Sequence, residues 1–264
     1  GADLRTGDEV VLFATCFVNH HRPEVGQAAY RVLHHNHCRV ICPPLNCCGA
    51  PALDSGDIPF AISQAASNVR TLLPLVERGC KVAVLNPTCS LMMRREYPDL
   101  LDAPADPALA KAAREVAAAT LDVSDFLFGL RKEGRFLEDF KSTPAGTVAC
   151  HAPCHLRMQK VGFRGRDLMR RIPLVKPALT AECCGHDGTW AMKAEYFPLS
   201  LKNGAKAFEG MTDAAAEIWT SDCPLAALQF EQACGRTALH PVEVLDRAYR
   251  ADGFPTPVPP ATTG

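Results

Sequence analysis

No apolar run in this chain reaches the roughly 18 residues of a membrane-spanning helix. The N-terminus, Gly1-Ala2-Asp3-Leu4-Arg5, is polar and lacks the apolar stretch of a secretory signal. An excess of basic charge is missing as well. Among 264 residues, 28 Lys and Arg stand against 29 Asp and Glu, which argues against a dedicated nucleic-acid binder. No two cysteines are spaced as Cys-x-x-Cys, so the tight hook of structural zinc sites is absent. Neither a Gly-rich phosphate loop nor a Ser-His-Asp arrangement stands out. What is abundant is cysteine: thirteen residues. The expected setting is a reducing cytoplasm, where many cysteines mean metal or redox chemistry rather than disulfides. Hydrophobic residues make up 47%, enough for a sizeable core without staples.

The hydrophobic pattern alternates between strands and helices. Val10–Ala14 is a short apolar run ending near Cys16, as a buried strand would. Pro23 suits the first turn of a helix that carries Val25, Ala28, Ala29, Val32 and Leu33 at helical spacing. Arg39–Cys42 reads as the next strand. Asp57 caps a predicted helix with Ile62, Ala65, Val69, Leu72 and Val76 on one face. Lys81–Leu85 is a third strand. Residues 104–133 read as two helices joined near Asp122, and 134–146 as a connector. Strands return at Thr147–Ala149 and Glu217–Thr220. The Pro-rich segment from Phe254 to Pro260 reads as unable to pack a core. This pattern predicts an α/β fold with parallel layers.

The cysteines repeat. Cys16, Cys47-Cys48-Gly49 and Cys89 recur as Cys154, Cys183-Cys184-Gly185 and Cys223. The offsets between matching cysteines are 138, 136, 136 and 134. The single cysteines fall at predicted strand ends, and the C-terminal ends of parallel strands are where α/β proteins usually bind ligands. Thiolates are soft ligands for iron–sulfur clusters or zinc. Gly49 and Gly185 free the backbone for the turn that aims adjacent thiols together. The predicted ligands are Cys16, Cys47, Cys48 and Cys89 for one centre and Cys154, Cys183, Cys184 and Cys223 for the other. The chain divides into a first repeat with a helical extension, 1–133, a second repeat, 134–250, and a disordered Pro-rich tail, 251–264.

Several stretches together resemble the cysteine-rich CCG-domain family. They are Cys16-Phe17-Val18-Asn19, Cys47-Cys48-Gly49-Ala50-Pro51, Thr88-Cys89 with Arg95-Glu96-Tyr97-Pro98, His151-Ala152-Pro153-Cys154-His155, Cys183-Cys184-Gly185 with Gly188-Thr189, and His240-Pro241. That family includes the B-type component of heterodisulfide reductase, the iron–sulfur components of glycolate oxidase and lactate-utilisation complexes, and the C-type component of anaerobic glycerol-3-phosphate dehydrogenase. The resemblance implies two pseudo-symmetric Rossmann-like halves, each a short parallel sheet flanked by helices with a cluster site. It implies an oxidoreductase subunit for electron transport, passing electrons from a flavoprotein dehydrogenase to quinone or another acceptor. A ferredoxin-like subunit or domain is a further implied partner. The implied location is the cytoplasm or the inner face of the membrane, held peripherally.

In heterodisulfide reductase a fifth cysteine, from a Cys-x-x-Cys pair, supports a non-cubane cluster. Here the pairs would be Asn86…Cys89 and Cys223…Ala226, each one cysteine short. Two ordinary [4Fe-4S] clusters on four thiolates each become the plainer expectation. Two other readings stand beside the relay: a catalytic disulfide reductase subunit, and a zinc-stabilised interaction module.

Among the remaining residues, Cys38, Cys80 and Cys234 read as small buried groups. Cys42 and Cys150 lie close enough in sequence to be extra ligands. Cys150 to His155 resembles a haem-attachment motif, but the gap is three residues rather than two. His34, His35 and His37 suit a solvated helix end. His20 and His21 are candidates to touch sulfur or quinone, and His155 and His186 to tune a cluster. Seven basic residues from Arg157 to Lys176 read as a solvated helix, or as a docking face for an acidic subunit or membrane surface.

Overall fold

The computed structural model describes residues 9–102 and 104–258. The first repeat runs β1 (Glu9–Phe13), α1 (Cys16–His21), α2 (Pro23–His35), β2 (Arg39–Ile41), α3 (Ala50–Asp54), α4 (Ile58–Glu77), β3 (Lys81–Val84), α5 (Pro87–Leu91), α6 (Tyr97–Leu100), α7 (Pro107–Ala119), β4 (Thr120–Asp122) and α8 (Val123–Lys132). A π turn, Met92–Glu96, joins α5 to α6. Then follow β5 (Ser142–Thr143), β6 (Thr147–His151), α9 (Cys154–Gln159), α10 (Arg164–Met169), β7 (Lys176–Thr180), α11 (Phe197–Asp213), β8 (Ile218–Ser221), α12 (Pro224–Cys234), β9 (Ala238–Leu239), α13 (Pro241–Ala248) and β10 (Thr256–Pro257).

The strands form two parallel four-stranded sheets, ordered β2-β1-β3-β4 and β7-β6-β8-β9. The two orders are the same under the repeat, as the paired cysteine sets imply. Parallel strands bury both faces, so β1 reads as a continuous apolar run. Val10 and Leu12 enter one core, while Val11 and Phe13 enter another. The first of these cores lies between the sheets and is shared. It takes Val10 and Leu12 from one sheet, Val148 and Cys150 from the other, and apolar faces of α2, α8, α10 and α13. Outer cores cover the far faces, under α4 and α7 on one side and α11 and α12 on the other. A bidentate ion pair, Arg31 to Asp246 at 2.8 Å, clips α2 to α13.

Helix α2 buries the five apolar residues that the spacing selects. In α4, Asp57 caps as expected by accepting from the Phe60 N–H. Its buried stripe is rotated, though: Ala61, Ala65, Asn68, Val69 and Leu72 face inward and Ile62 is exposed. The join near Asp122 is strand β4, whose three residues pair with Val82–Val84. Three residues are too few for a period of two to show. The expected disordered tail is ordered as far as it is described. Phe254 is buried in the shared core, and Thr256–Pro257 pairs antiparallel with β5. Proline lacks a donor but is tolerated on such an edge. Residues 259–264 of that tail, and the polar residues 1–8, lie outside the described residues. Among the described residues, no helix is long and apolar enough to cross a membrane.

Candidate metal centre

Both central strands end just before a cysteine that opens a helix: Cys16 begins α1 and Cys154 begins α9. Thr15, with φ 62°, turns the chain out of β1, and its hydroxyl accepts from the Val18 N–H at 3.2 Å. A β-branched residue is strained there. Gly49 (φ 90°) and Gly185 (φ 79°) close the two Cys-Cys-Gly turns. A Cβ at Gly49 would sit 3.3 Å from the Ala61 carbonyl oxygen. At Gly185 it would sit 2.0 Å from the Ser200 carbonyl oxygen, so α11 packs directly on the turn.

The fourth cysteines are placed differently in the two halves. Asn86 caps α5 by accepting from the Thr88 N–H, and Cys89 sits in that helix's first turn. In the second half Cys223 is itself the cap of α12, and Ala226 takes the place matching Cys89. The two equivalent caps meet, with Cys223 Sγ 3.9 Å from Asn86 Oδ1.

Buried side chains hold the turns. Asn68 Nδ2 donates to the Cys47 carbonyl at 3.1 Å and to the Tyr97 hydroxyl at 3.0 Å. Tyr97 in turn donates to the Cys48 carbonyl at 3.0 Å. In the second half Ser200 donates to the Gly185 carbonyl at 2.9 Å and accepts from Gln229.

The structure brings each predicted set together. Cys16 Sγ lies 3.6 Å from Cys47 Sγ. Cys48 stands between Cys47 and Cys89, near enough for the thiols to perturb one another. Donation from the Cys16 and Cys48 thiols, helped by backbone N–H groups, pulls the Cys47 pKa well down. The bond to Cys47, then burial, pushes Cys16 up; bonds to Cys47 and Cys89, then burial, push Cys48 up. In the second set, burial raises Cys184 to about 12 and Cys223 to about 11. Cys183 is raised by burial and accepts from the Gly185 N–H at 3.4 Å. Arg157 Nη2 donates to Cys154 Sγ at 3.4 Å.

Cys16, Cys47, Cys48 and Cys89 line a cavity of about 500 Å³, and Cys154, Cys183, Cys184 and Cys223 line one of about 510 Å³. The cavities share Asp54, Thr88, His186, Gly188 and Leu225, so all eight thiols face one cleft between the repeats. Among the described residues, no three His, Cys, Asp or Glu side chains are grouped to hold a metal ion. Four soft donors on the wall of a cavity this large suit a group bigger than one ion. His186 Nε2 is buried beside both cavities with no hydrogen-bond partner.

The other candidates divide. Cys150 is buried in the shared core, and Cys42 lines a separate cavity with Leu12 and Tyr30. Neither joins the thiol sets. Cys38 and Cys80 are buried and Cys234 is half-buried. His21 lines the first cavity, stacked on Phe17; His20 is exposed and lines neither. His34 and His37 are exposed, and His35 pairs with Asp139 at 2.7 Å. His155 bonds Thr88 at 2.8 Å. Within the basic run, Arg164, Arg166 and Arg170 gather at Asp167, and Arg171 pairs with Glu138.

Sequence reasoning misses Asn68, Ser200, Gln229 and the buried His151. It also misses the sulfur contact of Arg157. His151 lines the second cavity between Ser221 and the Glu182 carbonyl, and burial lowers its pKa to about 4. Asn68 does leave a signal: a lone amide within the apolar stripe of α4.

A family model for the cysteine-rich domain matches residues 10–94 and again 148–231. The C-type component of anaerobic glycerol-3-phosphate dehydrogenase from Escherichia coli is 31% identical over 247 residues, covering 91% of this chain and 59% of that protein. Lactate utilization protein A of Geobacillus kaustophilus is 27% identical over 190 residues, covering 70% of this chain and 75% of that protein. The Bacillus pumilus protein of the same name is 26% identical over 221 residues, covering 81% and 87%. The chain thus spans under two thirds of the length of the Escherichia coli protein.

Proposed function

Because the chain belongs to the cysteine-rich CCG-domain family and carries two copies of the domain, we propose that it is an iron–sulfur electron-transfer subunit of an oxidoreductase complex. The observation that carries this reading is that eight thiols from two matched repeats face one cleft. Cys16, Cys47, Cys48 and Cys89 would hold one [4Fe-4S] cluster, and Cys154, Cys183, Cys184 and Cys223 the other. Bound there, each group supplies a one-electron carrier. The chain's own contribution is to fix and tune the thiolates. Asn68 and Tyr97 fix the carbonyls of one turn, and Ser200 and Gln229 fix the other. Cys48, Cys89, Cys184 and Cys223 are buried, so half of the donors are kept from water. Donors at sulfur set the potential.

The name of the Escherichia coli relative, a subunit of a dehydrogenase, supports a partner that oxidises a small metabolite. We take that partner to be a flavoprotein, with a ferredoxin-like subunit or domain beside it and quinone as the acceptor. The work would take place in the cytoplasm, peripheral to the membrane. We keep 1–133 and 134–250 as the two repeats. A catalytic disulfide reductase is the weaker reading, because Asn86 acts as a helix cap where a fifth thiol would stand.

Anaerobic reconstitution with iron and sulfide assays tests the proposal. Two clusters per chain are expected, falling to one in Cys16→Ser and to one in Cys154→Ser. Fewer than one cluster in the unaltered chain would overturn it, and zinc without iron would favour an interaction module.

A further inference from the structure

We propose that Arg157 is a positioning residue that sets the potential of the second thiol site above that of the first. The inference rests on the cluster reading above. Arg157 stands one turn into α9 from Cys154. Its Nη2 donates to Cys154 Sγ at 3.4 Å, and its Nη1 donates to the Ala181 carbonyl at 2.6 Å. Ala181 lies two residues before Cys183. The planar guanidinium is therefore anchored on both sides and ties one ligand strand to the other.

Among the described residues, no matching cation bonds a thiol of the first site. Backbone N–H groups reach Cys47 there, as the Gly49 N–H does, much as the Gly185 N–H reaches Cys183. The second site adds backbone donors at Cys184, from His186, and at Cys223, from Leu225 and Ala226, which act in the same direction as Arg157. Arg22 lines the first cavity, but its guanidinium is taken by Glu24. Asp54 borders both cavities, and Glu231 borders only the first. Asp187 borders only the second, where its charge opposes that of Arg157, whose guanidinium bonds sulfur directly. Exposure adds in the same direction as Arg157. Cys154 and Cys183 are both exposed, whereas in the first set only Cys16 is.

Adding an electron makes a thiolate-held site more negative, and a cation or donor at sulfur favours that state. The ordering makes a single electron move downhill from the first site, which is oxidised by one, to the second, which is reduced by one. No bond or proton is exchanged. Arg157 is exposed, so screening limits the effect. About a tenfold change in the one-electron equilibrium is expected, or about 59 mV.

The test is a potentiometric titration followed by electron paramagnetic resonance on the full reconstituted chain. Cys154→Ser assigns the signal of the second site. Arg157→Ala should lower the second potential and leave the first unmoved. Arg157→Lys should recover part of the shift, since it restores charge but not the fork. An unmoved second potential in Arg157→Ala, or equal shifts at both sites, would overturn the proposal while leaving the cluster reading intact. Absence of iron from the unaltered chain would overturn both.

Discussion

Thr88 Oγ1 and His155 Nδ1 lie 2.8 Å apart, and this bond joins the two repeats beside the thiols. Thr88 precedes Cys89, and His155 follows Cys154. The contact therefore links the ligand loop of one set to that of the other. Cys223 Sγ against Asn86 Oδ1 makes a second, longer crossing. The two sites are thus held at a fixed separation by the same residues that carry their ligands.

Removing the hydroxyl should loosen that link. Thr88→Val keeps the shape and the backbone bond to Asn86, and it should cost about 1 kcal/mol in urea unfolding. Thr88→Ser should retain most of the stability. In the reconstituted chain, Thr88→Val should also weaken the magnetic interaction between sites. Equal stability for the Val and Ser variants would show that the hydroxyl bond contributes nothing.

The glycines of the two turns should differ in tolerance. Gly49→Ala faces a left-handed backbone and a 3.3 Å contact, for about 1–2 kcal/mol. Gly185→Ala adds a 2.0 Å overlap with a helix backbone that must shift bodily. Its cost should exceed about 3 kcal/mol, with loss of the second site. Denaturant midpoints and iron content check this. A smaller loss at Gly185 than at Gly49 would mean that α11 does not pack on the turn as described.

The repeat, both Cys-Cys-Gly turns and the central strands of both sheets are legible in the sequence, because each carries a regular mark. Val10–Phe13 is an apolar run, and the eight cysteines recur at matched offsets. Strands β4, β7 and β9 are not legible. Thr120–Asp122 and Ala238–Leu239 are too short for periodicity, and β7 contains Pro177, which reads as a break until its edge position is known. Phe254 fails for another reason: its burial depends on core surface supplied from distant parts of the chain. Arg157 is visible only as one charge in a basic run, since its contact at Ala181 exists only once β7 is in place, and its contact at Cys154 only once α9 has formed.

Asn68 should matter more than its distance from the sulfurs suggests. Its Oδ1 accepts from the Asn46 N–H at 2.9 Å, while its Nδ2 serves the Cys47 carbonyl and the Tyr97 hydroxyl. Asn68→Ala strands several buried groups and should cost about 2–3 kcal/mol. Tyr97→Phe loses one donor to the Cys48 carbonyl and should cost about 1 kcal/mol. Iron at the first site should fall in the same order. The reverse order would place the clamp at Tyr97 instead.

Two buried groups should give the chain opposing pH limbs. His240 caps α13 by accepting the Val242 N–H at 3.2 Å, and burial lowers its pKa to about 3 from 6.5. As pH falls below 6.5, the unfolded chain takes a proton that the folded chain refuses, so stability drops toward pH 3. Asp122 is the reverse case. Burial, partly offset by the Ser90 hydroxyl at 2.8 Å, raises it to about 7 from 3.8. Its Oδ2 is buried without a partner, and an unpartnered buried carboxyl oxygen costs less when the group is neutral than when it is charged. As pH rises from 3.8 to 7, the unfolded chain loses a proton that the folded chain retains, and stability drops. The limbs overlap between 3.8 and 6.5, so single variants are needed to separate them. Urea unfolding at pH 4.5 and pH 7 provides the comparison. Relative to the unaltered chain, His240→Asn should fare better at the lower pH, and Asp122→Asn better at the higher. A stability gap that is the same at both pH values would mean that the side chain replaced does not titrate differently on folding.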